Sequence, residues 1–324
     1  MKSRFPALCI LTAISHAACF SIDDPSGNSP APPADTTPPS IPIILVPDWP
    51  PLGPDGTVRV EVRDNASLSR LTATFRNVER RVLRGTQTEI TLTGRELGEG
   101  MGLLSLVACD QSNGCAERNV KNLVVDMTPP DVVMERAVVS PRLEELERQI
   151  GVWASDAWVL GSVSLEFMGT TLTHELPKAY PATLGKSWDV TRVGFDSRRL
   201  PEGKGDATLT VRDAAGNVAS RVFPLHVDAT LPTVAIQAPV NGATVKDAFD
   251  VRFVANDNAD DPPVVELWVG GSRIFEAPAI FGKVRIDAAS LSRGATEICA
   301  MARDPAGNRS DPACIKVQVS TPNL

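Results

Sequence analysis

Apolar and polar residues alternate with period two along most of the chain, and the alternation recurs. Counting back in twos from Asp110, Asp213 and Asp304 gives Ala108, Leu106 and Leu104, then Val211, Leu209 and Ala207, then Ala302, Ala300 and Ile298. The residues between them are mixed, as with Val107 and Cys109, Thr210 and Arg212, Met301 and Arg303. Such alternation predicts strands with one face in a core. Each strand runs into a turn signal: Asp-x-x-Gly-Asn at 213–217 and 304–308, and Asp110-Gln-Ser-Asn-Gly114 in the first copy. Asp accepts turn amides, and Gly or Asn adopts positive φ. A second apolar strand follows and closes near Val125, Val227 and Val319, so each copy predicts a β-hairpin. Ahead of the hairpins stand Leu97 with Gly100, Leu200 with Gly203, and Leu291 with Gly294. Every Leu lies 13 residues before its Asp, and every Gly 10 before it. A repeat of this period predicts tandem copies of one domain.

A second register repeats inside each copy. Val58, Val60 and Val62 precede Asp64; Ile150, Val152 and Ala154 precede Asp156; Val251, Phe253 and Ala255 precede Asp257. The next strand offers Leu71, Ala73 and Phe75, then Val163, Leu165 and Phe167. In the third copy it is Val265, Leu267 and Val269, displaced by the insertion at 258–263. Only Pro141–Arg148 has any helical character, and it reads better as a charged loop. Asp35-Thr-Thr-Pro-Pro39, Asp126-Met-Thr-Pro-Pro130 and Asp228-Ala-Thr-Leu-Pro232 mark the starts of the copies. Proline interrupts ladder pairing there and separates one sheet from the next.

These registers predict an all-β chain of three immunoglobulin-like β-sandwich domains at 41–126, 127–228 and 229–324. The combination of Leu-x-x-Gly, alternating strand, Asp-x-x-Gly-Asn and Val-Asp-x-Thr-x-Pro resembles tandem bacterial Ig-like (Big or cadherin-like) repeats over residues 35–320. The first copy departs from the pattern at Ser112-Asn113-Gly114, and its turn is expected to differ. The resemblance implies a surface module: a stalk, an adhesin or the accessory of an exported enzyme. It is specific for architecture and weak for activity.

The N-terminus adds a location. Lys2 and Arg4 precede a short apolar run, and Ser15-His16-Ala17-Ala18-Cys19 offers small residues before a cysteine. Residues 1–19 read as a targeting segment. It resembles a bacterial lipoprotein signal with Cys19 as the lipidated residue, departing from it at His16; simple cleavage is the alternative. Residues 20–40, dense in Pro, Ser and Asp, read as a flexible tether. The expectation is an exported, lipid-anchored protein of the cell envelope. A net charge of −7, from 32 basic and 39 acidic residues, argues against nucleic-acid binding.

Export bears on the cysteines. Cys109 and Cys115 flank the first hairpin turn, and Cys299 and Cys314 the third. All four fall on the register expected to face solvent. Facing cysteines in an oxidising compartment predict two disulfides, with free thiols or a metal site as the other readings. His16, His174 and His226 are scattered, so zinc finds no ligand cluster. No catalytic motif stands out, which points to a protein that is not an enzyme. Trp153 and Trp268 fall on outward registers, where indole can stack on a sugar or a protein.

The aspartates offer the remaining chemistry. In an antiparallel sandwich the linker Asp, the Asp ending the second strand and the hairpin Asp share one pole. That gathers Asp126, Asp156 and Asp213, and likewise Asp228, Asp257 and Asp304, with Asp260 and Asp261 nearby. Two readings stand. Each Asp caps its own turn, the commoner role, or the group holds calcium, which takes oxygen ligands. The acidic motifs of cadherins are not reproduced. The function expected is a non-enzymatic envelope lipoprotein acting as spacer, adhesion or protein-interaction module. The alternative is a carbohydrate- or partner-binding accessory of an exported enzyme or secretion system. Surface proteins or glycans are the expected partners.

Overall fold

The structure is a computed structural model that describes residues 35–46, 51–65, 68–83, 89–177 and 189–320. The targeting segment, Cys19, most of the tether, Trp49 and Trp188 lie outside the described residues.

The first sandwich contains β1 (Ser40–Leu45), β2 (Thr57–Arg63), β3 (Leu68–Phe75), β4 (Val78–Leu83), β5 (Glu89–Thr93), β6 (Gly100–Asp110) and β7 (Cys115–Val125). Sheet β1-β2-β5 packs on sheet β4-β3-β6-β7. The second contains β8 (Asp131–Met134), β9 (Val138–Val139), β10 (Gln149–Asp156), β11 (Leu160–Phe167), β12 (Thr170–Glu175), β13 (Asp189–Asp196), β14 (Gly203–Asp213) and β15 (Val218–Val227). Its sheets are β13-β10-β8 and β12-β11-β14-β15-β9. The third contains β16 (Thr233–Ala238), β17 (Thr244–Val245), β18 (Phe249–Asn256), β19 (Val264–Val269), β20 (Ser272–Pro278), β21 (Phe281–Ile286), β22 (Gly294–Arg303) and β23 (Ala313–Val319). Its sheets are β16-β18-β21 and β17-β23-β22-β19-β20.

Each sandwich closes over its own hydrophobic core. The apolar registers of β2, β10 and β18, of β3, β11 and β19, and of β6, β14 and β22 are all buried. Phe75, Phe167 and Phe253 are among the largest fully buried side chains, one in each core. Truncating such a side chain costs roughly 3–5 kcal/mol, so these phenylalanines fix the sheets face to face.

Two features refine the pattern read from sequence. The opening strand of the second and third sandwiches is split: β8 and β16 pair with one sheet, while β9 and β17 run parallel to the last strand of the other. In the third sandwich Pro239, which has no amide proton to give, ends the first pairing. Among the described residues the first sandwich shows an isolated bridge there, Leu52 to Val125. A helical turn also leads into each Leu-x-x-Gly: α1 (Gly94–Leu97), which ends on the motif's Leu97, and 3-10 turns at Ser197–Arg199 and Ala288–Ser290 just before Leu200 and Leu291. Thr93, Asp196 and Asp287 cap these turns through their side chains. The repeated Gly then opens the hairpin at φ of 119°, 144° and 103° for Gly100, Gly203 and Gly294. L-residues avoid that region, which explains why glycine recurs there. Residues 141–148 form turns, with the Glu144 carbonyl accepting from Glu147 and Arg148. Among the described residues no helix is long and apolar enough to cross a membrane.

The disulfides form as the hairpin registers require. Cys109 stands opposite Cys115 and Cys299 opposite Cys314, and the Cα atoms of each pair are 4.1 Å apart. One expectation is corrected: Cys109 is buried, with 7% exposure. It faces Arg70 at a register shift of β3, and its cystine partner covers it from β7. Cys115 and Cys314 remain exposed. Cys299–Cys314 closes a loop of sequence separation 15, for which loop entropy gives about 3 kcal/mol. Replacing both residues by serine should lower the stability of the third sandwich by about 2–3 kcal/mol in chemical denaturation. Peptide mapping without reductant should recover both pairs intact; free thiols at either would overturn the assignment.

Candidate metal centres

Each hairpin Asp is fixed by the turn that follows it. Its backbone N–H donates to the carbonyl four residues on, from Asp110 to Gly114, Asp213 to Asn217 and Asp304 to Asn308. The residue before that carbonyl takes positive φ: Asn113 at 68°, Gly216 at 94° and Gly307 at 95°. The first turn therefore keeps the backbone path of the others, with Asn113 in the glycine's place. What differs is the next position. Asn217 and Asn308 carry side chains that reach inward, and Gly114 does not.

Those asparagines join strand to linker. Asn217 donates from its backbone to Asp213 Oδ1 at 2.8 Å, and from Nδ2 to Asp213 Oδ2 at 2.8 Å and the Asp126 carbonyl at 3.1 Å. Asn308 repeats this with Asp304 and the Asp228 carbonyl, adds the Thr230 carbonyl, and accepts from the Ser140 hydroxyl of the preceding sandwich. The linker aspartates turn their side chains back on their own chain. Asp35, Asp126 and Asp228 each accept through Oδ1 from the amide of the threonine two residues on. Asp156 accepts from Trp158 N and Asp257 from Ala259 N in the same manner. The capping role is real, yet it does not use every oxygen.

The structure brings together both predicted triads, Asp126 with Asp156 and Asp213, and Asp228 with Asp257 and Asp304. It adds a third, Asp35 with Asp64 and Asp110. In each triad one carboxylate oxygen per residue lies within 4.8 Å of the others. Asp126 and Asp228 are 0% exposed and Asp110 is 1% exposed. Their Oδ2 atoms are buried without a hydrogen-bond partner, as are Asp257 Oδ1 and both oxygens of Asp64. Burial in this company pushes Asp126 up to about 8, chiefly by desolvation and then by the charges of Asp156 and Asp213. Desolvation lifts Asp213 to about 6 against the hydrogen bonds of Asn217, and raises Asp304 in the same way. Asp260 and Asp261 stay outside the cluster; Asp260 pairs with Lys204 of the second sandwich at 2.8 Å.

The donor set is all oxygen. Calcium sits about 2.3–2.6 Å from its ligands, so ligands on one ion lie up to about 5 Å apart, and the triads fall within that span. A buried carboxylate oxygen without a donor is costly unless protonated or matched by a cation.

Two site residues escaped the sequence reading. Glu99 accepts from Met127 N at 2.7 Å and from Trp158 Nε1 at 3.4 Å. Glu202 accepts from Ala229 N at 3.3 Å and Thr230 Oγ1 at 2.9 Å. Both belong to the Leu-x-Glu-Gly form of the repeat, and each grips the linker leaving its own sandwich. The shared Glu in copies one and two, replaced by Arg293 in copy three, was the available signal. Of the histidines, His174 bonds the Gly194 carbonyl and packs edge-on against Phe195, and His226 is buried. Trp153 is 44% exposed on β10, between Val133 and Arg192 of the flanking strands; Trp268 is half-buried and donates to Glu266.

The match to a family model agrees with this architecture. The fold makes the chain a tandem of immunoglobulin-like β-sandwiches. Residues 189–274 match the family model of the bacterial Ig-like domain (group 3), a span running from β13 of the second sandwich into β20 of the third. No curated protein sequence matches. Similar solved structures include the fibronectin(III)-like modules of Clostridium thermocellum CbhA, at 18% identity, covering 59% of this chain and 95% of that one, with a TM-score of 0.37. A 1.5-MDa bacterial ice-binding adhesin is similar at 18% identity, covering 82% of this chain and 91% of that one, with a TM-score of 0.30.

Proposed function

We propose that the chain is an exported, non-enzymatic spacer or adhesion module whose sandwich poles are locked by a divalent cation, calcium by the nature of the donors. The observation that carries the reading is the recurrence of an Asp triad at three poles, each with a buried carboxylate oxygen lacking a donor. Asp126 and Asp228 are linker residues, so a cation on them would tie linker to sandwich and stiffen the joint between neighbours. Asp35 would tie the end of the tether to the first sandwich in the same way. Two disulfides and bacterial Ig-like sequence support an extracellular setting. A lipid on Cys19 would place the module at an envelope membrane, and mass spectrometry of the mature N-terminus tests that part. The alternative of a glycan-binding accessory draws on the exposed face of Trp153, and a glycan array tests it.

Small-angle scattering tests the main reading. Strands of about seven residues at about 3.3 Å per residue, with their loops, give each sandwich roughly 40 Å. The longest dimension should sharpen near 120 Å in millimolar calcium, about three such lengths, and blur when a chelator is added. Identical curves in both conditions would sink the cation and leave a rod held by its prolines and asparagines alone.

A further inference from the structure

Where the second and third sandwiches meet, a cleft of about 760 Å³ opens beside the third hairpin turn. Four arginines line it: Arg136 and Arg142 from the second sandwich, Arg303 and Arg309 from the third. One carboxylate residue, Glu147, lines it as well. In a chain of net charge −7 this is a local reversal of sign. Ten of the described arginines elsewhere in the chain pair with carboxylates, as Arg192 does with Glu135 and Arg148 with Asp196. Among the described residues none of the four cleft arginines makes a salt bridge. Arg136 donates to the Glu147 carbonyl and Arg142 to the Ala229 carbonyl, both neutral acceptors. All four are exposed.

The cleft is held in shape by contacts independent of its charge. An added Cβ on Gly307 would lie 2.9 Å from Leu143 Cδ1, so the 141–148 turns press directly on the hairpin turn. Asn308 at the cleft wall accepts from Ser140 across the same junction. Four guanidiniums in one concave site repel each other and leave donors facing water. An oxyanion relieves the repulsion and takes forked hydrogen bonds that ammonium groups do not match.

We infer that this cleft is an anion-binding site for a ligand carrying several oxyanion groups, such as the sulfates and carboxylates of an acidic glycan. Because two arginines come from each side, the ligand bridges the sandwiches. The cleft's place between domains and its open mouth suit an extended polyanion threading past, while a small free oxyanion shares the same chemistry.

The experiment is isothermal titration of the full chain at low salt in 1 mM calcium, with two probes. One is a heparin-type hexasaccharide; the other is inorganic sulfate. The hexasaccharide should bind, weaken as salt rises, and lose at least tenfold in affinity in the double variant Arg303→Ala, Arg309→Ala. Arg303→Lys with Arg309→Lys should recover only part of the loss, and Arg70→Ala on β3 should bind as wild type does. Binding of sulfate alone, with the same loss in the double variant, would support the site and assign it to a small anion. Binding of neither probe, or equal binding by wild type and the double alanine variant, would overturn the site. Repeating the hexasaccharide titration in chelator separates this result from the cation reading, since the arginines persist whether or not the triads hold a metal.

Discussion

In chelator at pH 9, Asp126→Asn should raise the melting temperature of the second sandwich; in millimolar calcium the same substitution should lower it. The sign change follows from burial. Asp126 is fully buried, and its Oδ2 finds no donor beside Asp156 and Asp213. Its carboxyl is pushed up to about 8, whereas the unfolded chain holds it near 3.8. A raised folded-state value means that the protonated group's contribution is complete below pH 3.8 and is lost as pH climbs through about 8. At pH 9 without a cation the wild type therefore carries an uncompensated buried charge. Asparagine removes that charge and keeps an oxygen to cap Thr128 N. At pH 5.5 the folded wild type is protonated there while its unfolded chain is ionised, so in chelator the variant should still melt above it, by less than at pH 9, and the two should converge only below about pH 3.8. Calcium reverses the order, because the variant loses a charged ligand. Binding at a hundredfold excess over Kd stabilises by about 2.7 kcal/mol, and each kcal/mol moves a domain of this size by about 4–8 °C. The wild type should gain about 10–20 °C from calcium and the variant much less. Calorimetry at both pH values, with and without calcium, checks this. If the wild type ignores calcium, the aspartates are turn caps and nothing more.

Asn308→Ala should have the second large effect. The side chain is 2% exposed and serves four partners: Asp304 Oδ2, the Asp228 and Thr230 carbonyls, and the Ser140 hydroxyl. Alanine strands all four in a buried setting. Each stranded group costs on the order of 1–3 kcal/mol where water cannot reach it, and partial relaxation brings the total to roughly 3–5 kcal/mol. The loss should appear in the third sandwich by chemical denaturation, with a broader range of angles to the second sandwich by scattering. Asn217→Ala, with only Asp213 and the Asp126 carbonyl to lose, should cost less. Equal small losses in both would mean that the joint is held elsewhere.

The core was legible because period two survives along β2, β3, β6 and their counterparts, and a strand's face is fixed once its period is known. The triads were legible for the same reason: topology alone sends the linker, the second strand and the hairpin to one pole. Asp35, Asp64 and Asp110 were equally readable, yet the altered turn at 112–114 hid the match that Asn113 restores. The split opening strands, the helical turns leading into the Leu-x-x-Gly motifs, and the burial of Cys109 were not legible. Each depends on a short segment, where period carries little information and tertiary contacts decide. The arginine cleft lies further still from sequence, since Arg136 and Arg142 come from loops of the second sandwich and Arg303 and Arg309 flank a hairpin turn of the third.

The split first strand has a mechanical consequence. In each sandwich a short parallel contact ties the entering chain to the departing strand: Leu52 with Val124 and Asp126, Ala137 and Val139 with His226 and Asp228, Ala243 and Val245 with Gln318 and Ser320. A pull on the two ends of a sandwich draws these partners along each other, so the hydrogen bonds of the patch are loaded together, in shear, and not opened one at a time. The cores lie behind the patches and feel the tension only after a patch has given way. A chain fixed at one end and held at the other would therefore yield in steps, one sandwich per step. Each yielding patch would release the length stored in one domain while the others still carry the load.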